Sequence, residues 1–252
     1  MVQRSGRSSS ICTAHWEQQT AGKKSTAVLL IALGFKQGQS NPCIFRHQSC
    51  RTVCAVHGDD LTFVGPADSL KWIEDEMRKK YELKVGGKLG PGENDDKEAT
   101  VLNRVIRWCE DSIEYEADPR QAEKLVYELG LEGAKTVVTP GLKVTPEQIS
   151  RDLPLPESKI TMFRASSARS NYLSADRIDL CYSAKEVCRF MSAPTELSVV
   201  ALKRIGRYLE GHKRMVYKYP RQTVDSIDVY SDTDWAGCPR TRKSTSGGCI
   251  ML

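Results

Sequence analysis

The sequence predicts an α+β fold, with strands gathered in the first half and helices in the second. Three observations carry this. Thr52–Val56 and Leu61–Val64 are runs of β-formers flanking a Gly/Asp turn, His57-Gly58-Asp59-Asp60, which is a hairpin signal. Asp118 and Pro119 open a helix whose apolar face is Ala122, Leu125, Val126 and Leu129 and which Gly130 closes. Beyond residue 160, apolar residues recur at helical spacing through three further segments.

Each element follows from its residues. Residues 25–35 read as the end of a buried helix, with Gly34 as its C-cap, and Asn41-Pro42 marks a turn. After the hairpin a helix is expected at 69–82, capped by Asp68, with Ile73, Met77 and Tyr81 on one face. Gly86-Gly87 and Gly90-Pro91-Gly92 predict a polar loop. A second hairpin is expected at 100–117, where Ile113, Tyr115 and Ala117 alternate with Glu114 and Glu116. Four prolines in 139–158 read as a loop or linker. Helices resume at 162–175, 179–192 and 195–210. The second buries Leu180, Ala184, Val187, Cys188 and Met191. The third buries Val199, Leu202, Ile205 and Leu209, leaving Lys203, Arg204 and Arg207 on other faces. Ser226–Trp235 reads as a strand ending in acids.

Composition narrows the function classes. The chain has 252 residues, 40% of them hydrophobic and 27% charged, as in ordinary globular proteins of one large or two modest domains. Its longest apolar run, Ala27–Leu33, is far short of the roughly 20 residues that span a bilayer, and the N-terminus lacks a secretory core, so an intracellular location, cytoplasmic or nuclear, is expected. Nine cysteines include no CxxC pair and fit free thiols in a reducing compartment. The net charge is +5, and residues 203–221 carry seven Lys or Arg against the single acid Glu210. Such a stretch suits a polyanion, but a solvated helix surface gives the same count.

Asp59-Asp60 is the sharpest chemical feature. Two carboxylates about 4 Å apart repel by about 4 kcal/mol at an effective dielectric near 20. A divalent cation relieves that repulsion, and two-metal phosphoryl transfer needs hard oxygen ligands of this kind. Aspartate is also a favoured turn residue, and most Asp-Asp turns are only solvated.

Neighbouring motifs add a family resemblance. Leu33-Gly34-Phe35-Lys36-Gln37, Asn41-Pro42-Cys43-Ile44-Phe45 and Ala55-Val56-His57-Gly58-Asp59-Asp60-Leu61 resemble the palm of Ty1/copia retrotransposon reverse transcriptases. In order downstream, Thr139-Pro140, Phe163-Arg164, Asn171-Tyr172-Leu173 and Asp176-Arg177-Ile178-Asp179 are similar to family motifs. So are Arg189-Phe190-Met191, Pro194-Thr195-Glu196 and Lys203 through Leu209. Tyr230 through Gly237, with Thr241 through Gly247, is similar to the opening of the family's RNase H domain. The likeness runs from about residue 25 to 252.

The resemblance implies an incomplete reverse-transcriptase palm sheet over 1–118, a mostly helical thumb and connection over 119–220, and a truncated RNase H-like strand segment over 221–252. It implies an RNA-directed DNA polymerase acting on an RNA template, a DNA primer and a dNTP. Asp59 and Asp60 would be the palm's ligands for Mg²⁺ or Mn²⁺, and Asp232 the first RNase H carboxylate. Arg204, Arg207, Lys213 and Arg214 would contact an RNA–DNA hybrid through its phosphates and A-like shape.

The family also needs a third palm carboxylate upstream of the hairpin. Here the first aspartate is Asp59 and the only earlier acid is Glu17. The resemblance therefore implies a fragment inactive by itself. A remnant that grips nucleic acid without catalysis is the alternative.

Overall fold

The computed structural model describes residues 9–16 and 24–251. Residues 1–8 and Glu17, used in the leader and carboxylate readings above, lie outside them. The chain divides into two compact units at Tyr115 and Glu116.

The first unit is a six-stranded antiparallel sheet with two helices. In chain order its elements are β1 (Ser9–Trp16), α1 (Lys24–Ala32), β2 (Lys36–Gln37), β3 (Ile44–His47), β4 (Thr52–His57), β5 (Asp60–Pro66), α2 (Ala67–Arg78) and β6 (Leu83–Leu89). The strand order is β2-β3-β4-β5-β1-β6. Phe45, Cys54, Phe63 and Cys12 stand opposite one another across four strands, all buried. Leu29 and Leu30 of α1 and Leu70, Ile73 and Met77 of α2 complete this core. Because strand residues alternate between faces, the other face carries Arg46, Val53 and Val64, which are exposed.

Helix α1 ends at Ala32 and Gly34 takes φ +94, as a C-terminal glycine should. Only one side of α1 is buried, since Val28 and Ile31 face solvent. Helix α2 begins earlier than expected. Pro66 is its N-cap, with no side-chain cap, and Asp68 lies inside the first turn, where its charge favours the helix dipole.

The segment read as a glycine-rich loop is instead strand β6 up to Leu89. Its partner β1 shifts register between Thr13 and Ala14, where Gly87 and Val85 are the partners, so Gly86 is the extra residue of a bulge. A Cβ at Gly86 would come within 2.8 Å of the Thr13 hydroxyl, so here glycine marks close strand contact rather than a break.

Three strands follow: β7 (Glu98–Val101), β8 (Arg104–Trp108) and β9 (Ser112–Glu116). The turn between β7 and β8 places Leu102 and Asn103 at positive φ, the two-residue hairpin geometry. The expected alternation in β9 is not kept, although Ala117 is buried as expected and Glu114 is as partly exposed as its neighbours. Ser112 and Glu116 are buried, while Ile113 and Tyr115 are only partly so.

The second unit is mostly helical: α3 (Pro119–Glu128), α4 (Pro146–Ser150), α5 (Glu157–Ser174), a 3-10 turn at Ile178–Leu180, α6 (Cys181–Cys188) and α7 (Glu196–Gly211). Asp118 accepts from the Arg120 N–H and Pro119 occupies the first turn, as the sequence predicts. Within the proline-rich stretch Thr145 and Gln148 form a capping box that starts α4, a helix the proline count concealed. Leu125, Phe163, Leu180, Leu202, Ile205 and Leu209 meet in the core. A Cβ at Gly206 would lie 2.5 Å from Leu131 Cδ1, so glycine is what lets the segment after α3 reach α7.

β10 (Val216–Pro220) follows α7. β11 (Asp228–Thr233) pairs antiparallel with β12 (Ser246–Met251) in a two-stranded sheet whose residues are exposed throughout.

Candidate metal and nucleic-acid sites

β4 and β5 are joined by two residues, Gly58 and Asp59, and His57 pairs with Asp60 to close the hairpin. Gly58 adopts φ +63, the left-handed conformation such a loop requires. Asp59 therefore stands at the tip and Asp60 is the first residue of β5, both exposed. Leu61 and Phe63 point into the core, so Asp60 shares the open sheet face with Thr62 and Val64. The sequence expectation of two acids at a bend between antiparallel strands is met.

The hairpin's adjacent carboxylates are hard oxygen donors of the kind a divalent cation takes. Among the described residues no group of three or more His, Cys, Asp or Glu side chains converges. Magnesium takes near-octahedral oxygen coordination, usually one or two carboxylates with waters and substrate phosphates, so Asp59 and Asp60 are the residues that would hold it.

Asp232 belongs to the other unit. It sits in β11 opposite Gly247, exposed, with Oδ1 accepting the Thr233 N–H at 2.9 Å.

The four basic candidates differ in their engagements. Arg204 donates from Nε and Nη2 to the carbonyl and hydroxyl of Thr139, both at 3.1 Å, which ties the Thr-Pro motif to α7. Arg214 donates through Nε and Nη2 to the buried Glu116 carboxylate at 2.5 and 2.8 Å. Lys213 Nζ lies 3.3 Å from Glu210 Oε2. Arg207 is exposed and, among the described residues, has no internal partner. Lys203, one turn earlier on α7, is equally exposed and unpartnered. Its i,i+4 spacing from Arg207, legible in the sequence, puts the two on one face of α7.

The thiols separate by environment. Burial pushes the Cys54 thiol up to about 12, so it is an inert core group. At Cys238 burial acts in the same direction, yet hydrogen bonds from Thr241, Arg189 and the Arg240 N–H outweigh it and bring the thiol down to about 6.

Sequence comparison places these features in an evolutionary class. An uncharacterized mitochondrial protein of Arabidopsis thaliana is 32% identical over 137 residues, 53% of this chain and 54% of the relative. The retrovirus-related Pol polyprotein from transposon RE1 of the same plant is 36% identical over 92 residues, covering 36% of this chain and 6% of the polyprotein. The polyprotein from transposon RE2 is 26% identical over 226 residues, covering 88% of this chain and 15% of the polyprotein. The chain thus spans about half of the first relative and a small part of the other two. It is homologous to retrotransposon Pol polyproteins and derives from a retroelement. No family model and no solved structure matches it. Among the described residues no helix is long and apolar enough to cross a membrane.

Proposed function

We propose that the chain is the part of a copia-type reverse transcriptase that carries the aspartate hairpin of the palm, the thumb and connection helices, and the opening of an RNase H-like segment. The observation that carries this reading is the two-residue turn that sets Asp59 at the tip and Asp60 on the open sheet face. Antiparallel pairing positions the pair, and among the described residues Arg46, Val53 and Val64 on the face beside it are exposed.

RNA-directed DNA polymerisation is then the activity of the lineage, with an RNA template, a DNA primer and a dNTP as partners. Mg²⁺ or Mn²⁺ would be the ion used, and it needs further oxygen donors beyond Asp59 and Asp60. These residues alone are expected to be inactive. Primer extension on an RNA template with Mg²⁺ or Mn²⁺ tests this. Extension by the 252-residue chain, abolished in Asp59→Asn, would overturn the inactivity while supporting the lineage.

A second reading, a nucleic-acid-binding remnant, is favoured by Lys203 and Arg207. Two unpartnered cations one turn apart on α7 match a phosphate track. Binding to an RNA–DNA hybrid that weakens steeply with salt, and that falls in the K203A/R207A double variant, would support it. No binding at low salt would remove it.

A further inference from the structure

The loop between β11 and β12 has features the polymerase reading leaves unused. Trp235 is 93% exposed, the extreme among the large apolar side chains described. Trp is enriched at binding surfaces, where one end of the ring system is apolar and the other wet.

The loop that presents it is built, not slack. The Asp234 N–H donates to the Thr245 carbonyl at 3.1 Å, and Asp234 Oδ1 accepts the Thr245 N–H. The Ala236 N–H reaches the Ser244 hydroxyl at 3.0 Å, and the Cys238 N–H reaches the Lys243 carbonyl at 3.2 Å. Anchors to the helices fix it further. Arg189 donates to Cys238 Sγ at 3.1 Å, Lys185 to the Thr245 hydroxyl at 3.0 Å, and Arg240 pairs with Asp152 while lying 4.9 Å over the Phe190 ring.

Two non-glycine residues of the loop, Ala236 and Arg242, take φ +50 and +54. Left-handed backbone is strained for an L-residue, and such strain clusters at ligand-binding and switch segments. The side chains of Arg242 and Lys243 are exposed and, among the described residues, have no hydrogen-bond or ion-pair partner. The nearest acids along the chain are occupied by backbone N–H groups, Asp232 by Thr233 and Asp234 by Thr245.

We propose that the loop Asp234–Thr245 binds single-stranded nucleic acid, with Trp235 stacking on a base and Arg242 and Lys243 taking the adjoining phosphates. An exposed aromatic and cations on one hydrogen-bonded loop are the groups that unpaired strands use, because every base offers a π-face and every linkage a charge. The site uses none of the α7 residues and does not depend on a metal.

Fluorescence anisotropy of a labelled oligothymidylate with the full chain at low salt tests it. The wild-type chain is expected to bind. W235A should weaken binding on the order of 5- to 150-fold with an unchanged far-UV spectrum, because the side chain is almost wholly exposed. R242A/K243A should weaken binding and lower the slope of log affinity against log salt by about 0.7 per lost phosphate contact. Equal affinity of W235A and wild type overturns the proposal. So does the absence of oligonucleotide binding with a change of sedimentation mass in W235A, which would mean that a second copy covers the indole. The K203A/R207A variant should lose hybrid affinity and retain oligothymidylate binding, so the two readings fail separately.

Discussion

Arg177 and Asp179 form a forked ion pair inside the helical unit: Nε and Nη2 donate to the two carboxylate oxygens at 3.0 and 2.7 Å. Arg177 is 1% exposed, and its Nη1 donates to the His212 carbonyl at 2.9 Å, just past the end of α7. The Asp176-Arg177-Ile178-Asp179 motif is thus a brace between the start of α6 and the end of α7. Arg177→Met should lower the unfolding free energy by about 3–5 kcal/mol, since it strands a half-buried carboxylate and open helix carbonyls. Urea titration measures this.

The same pair predicts acid sensitivity. Burial raises the Asp179 carboxyl, but the Arg177 hydrogen bonds and charge outweigh it and hold the group below the usual carboxylate range. A depressed carboxylate stabilises the fold above its unfolded value, near 4, and that stability is lost as pH falls through the lower folded value. Asp179→Asn should therefore flatten the stability profile below about pH 4, as read by urea midpoints across that range.

Glu116 and Arg214 predict an asymmetry. The Glu116 side chain is 3% exposed and that of Arg214 is 61% exposed. Arg214→Ala removes the guanidinium from a buried carboxylate and should cost about 1–3 kcal/mol. Glu116→Gln leaves an arginine that water can solvate and a neutral amide in its place, so its cost should be smaller. Equal losses in thermal melts would show that the pair does not hold this carboxylate.

At the hairpin, stability and chemistry should come apart. Gly58→Ala places a Cβ in open space but at φ +63, so the strain of about 1–2 kcal/mol is conformational alone. Asp59→Asn should leave the melting temperature unchanged or slightly raised, because it relieves repulsion at an exposed tip. A melt series of the two variants checks both.

Cys238 predicts a rise in stability with pH. Its folded thiol sits at about 6 against an ordinary 9, so between those values the unfolded chain holds the extra proton. The contribution is full above pH 9 and is lost as pH falls to about 6. Arg189→Ala should raise the folded value and shrink that rise. Thiolate absorbance of the wild-type chain minus that of Cys238→Ser gives the titration directly.

The sequence revealed elements where local chemistry and tertiary packing agree. The Asp118-Pro119 start, the Gly34 and Gly130 ends and the Asp59-Asp60 turn each follow from a backbone requirement that neighbouring residues alone can satisfy. It misled where a distant partner decides. Glu116 alternates like a surface residue, yet Arg214, 98 residues away, draws it inward. Gly86 and Gly87 look like breakers until β1 lies beside them, and Arg177 carries no local sign of burial. At the candidate site the tip acids were legible. Which of the basic residues remain free was not, because Thr139, Glu116 and Glu210 are met only on folding.

The exposed hairpin tip has a consequence for descent. Asp59 stands exposed at that tip, outside the core, so its replacement passes unnoticed by folding and by the cell's disposal of unfolded chains. A copy of this element can forfeit its chemistry and keep its shape. Brace residues such as Arg177 would be weeded out by misfolding long after pressure on the acids had ceased.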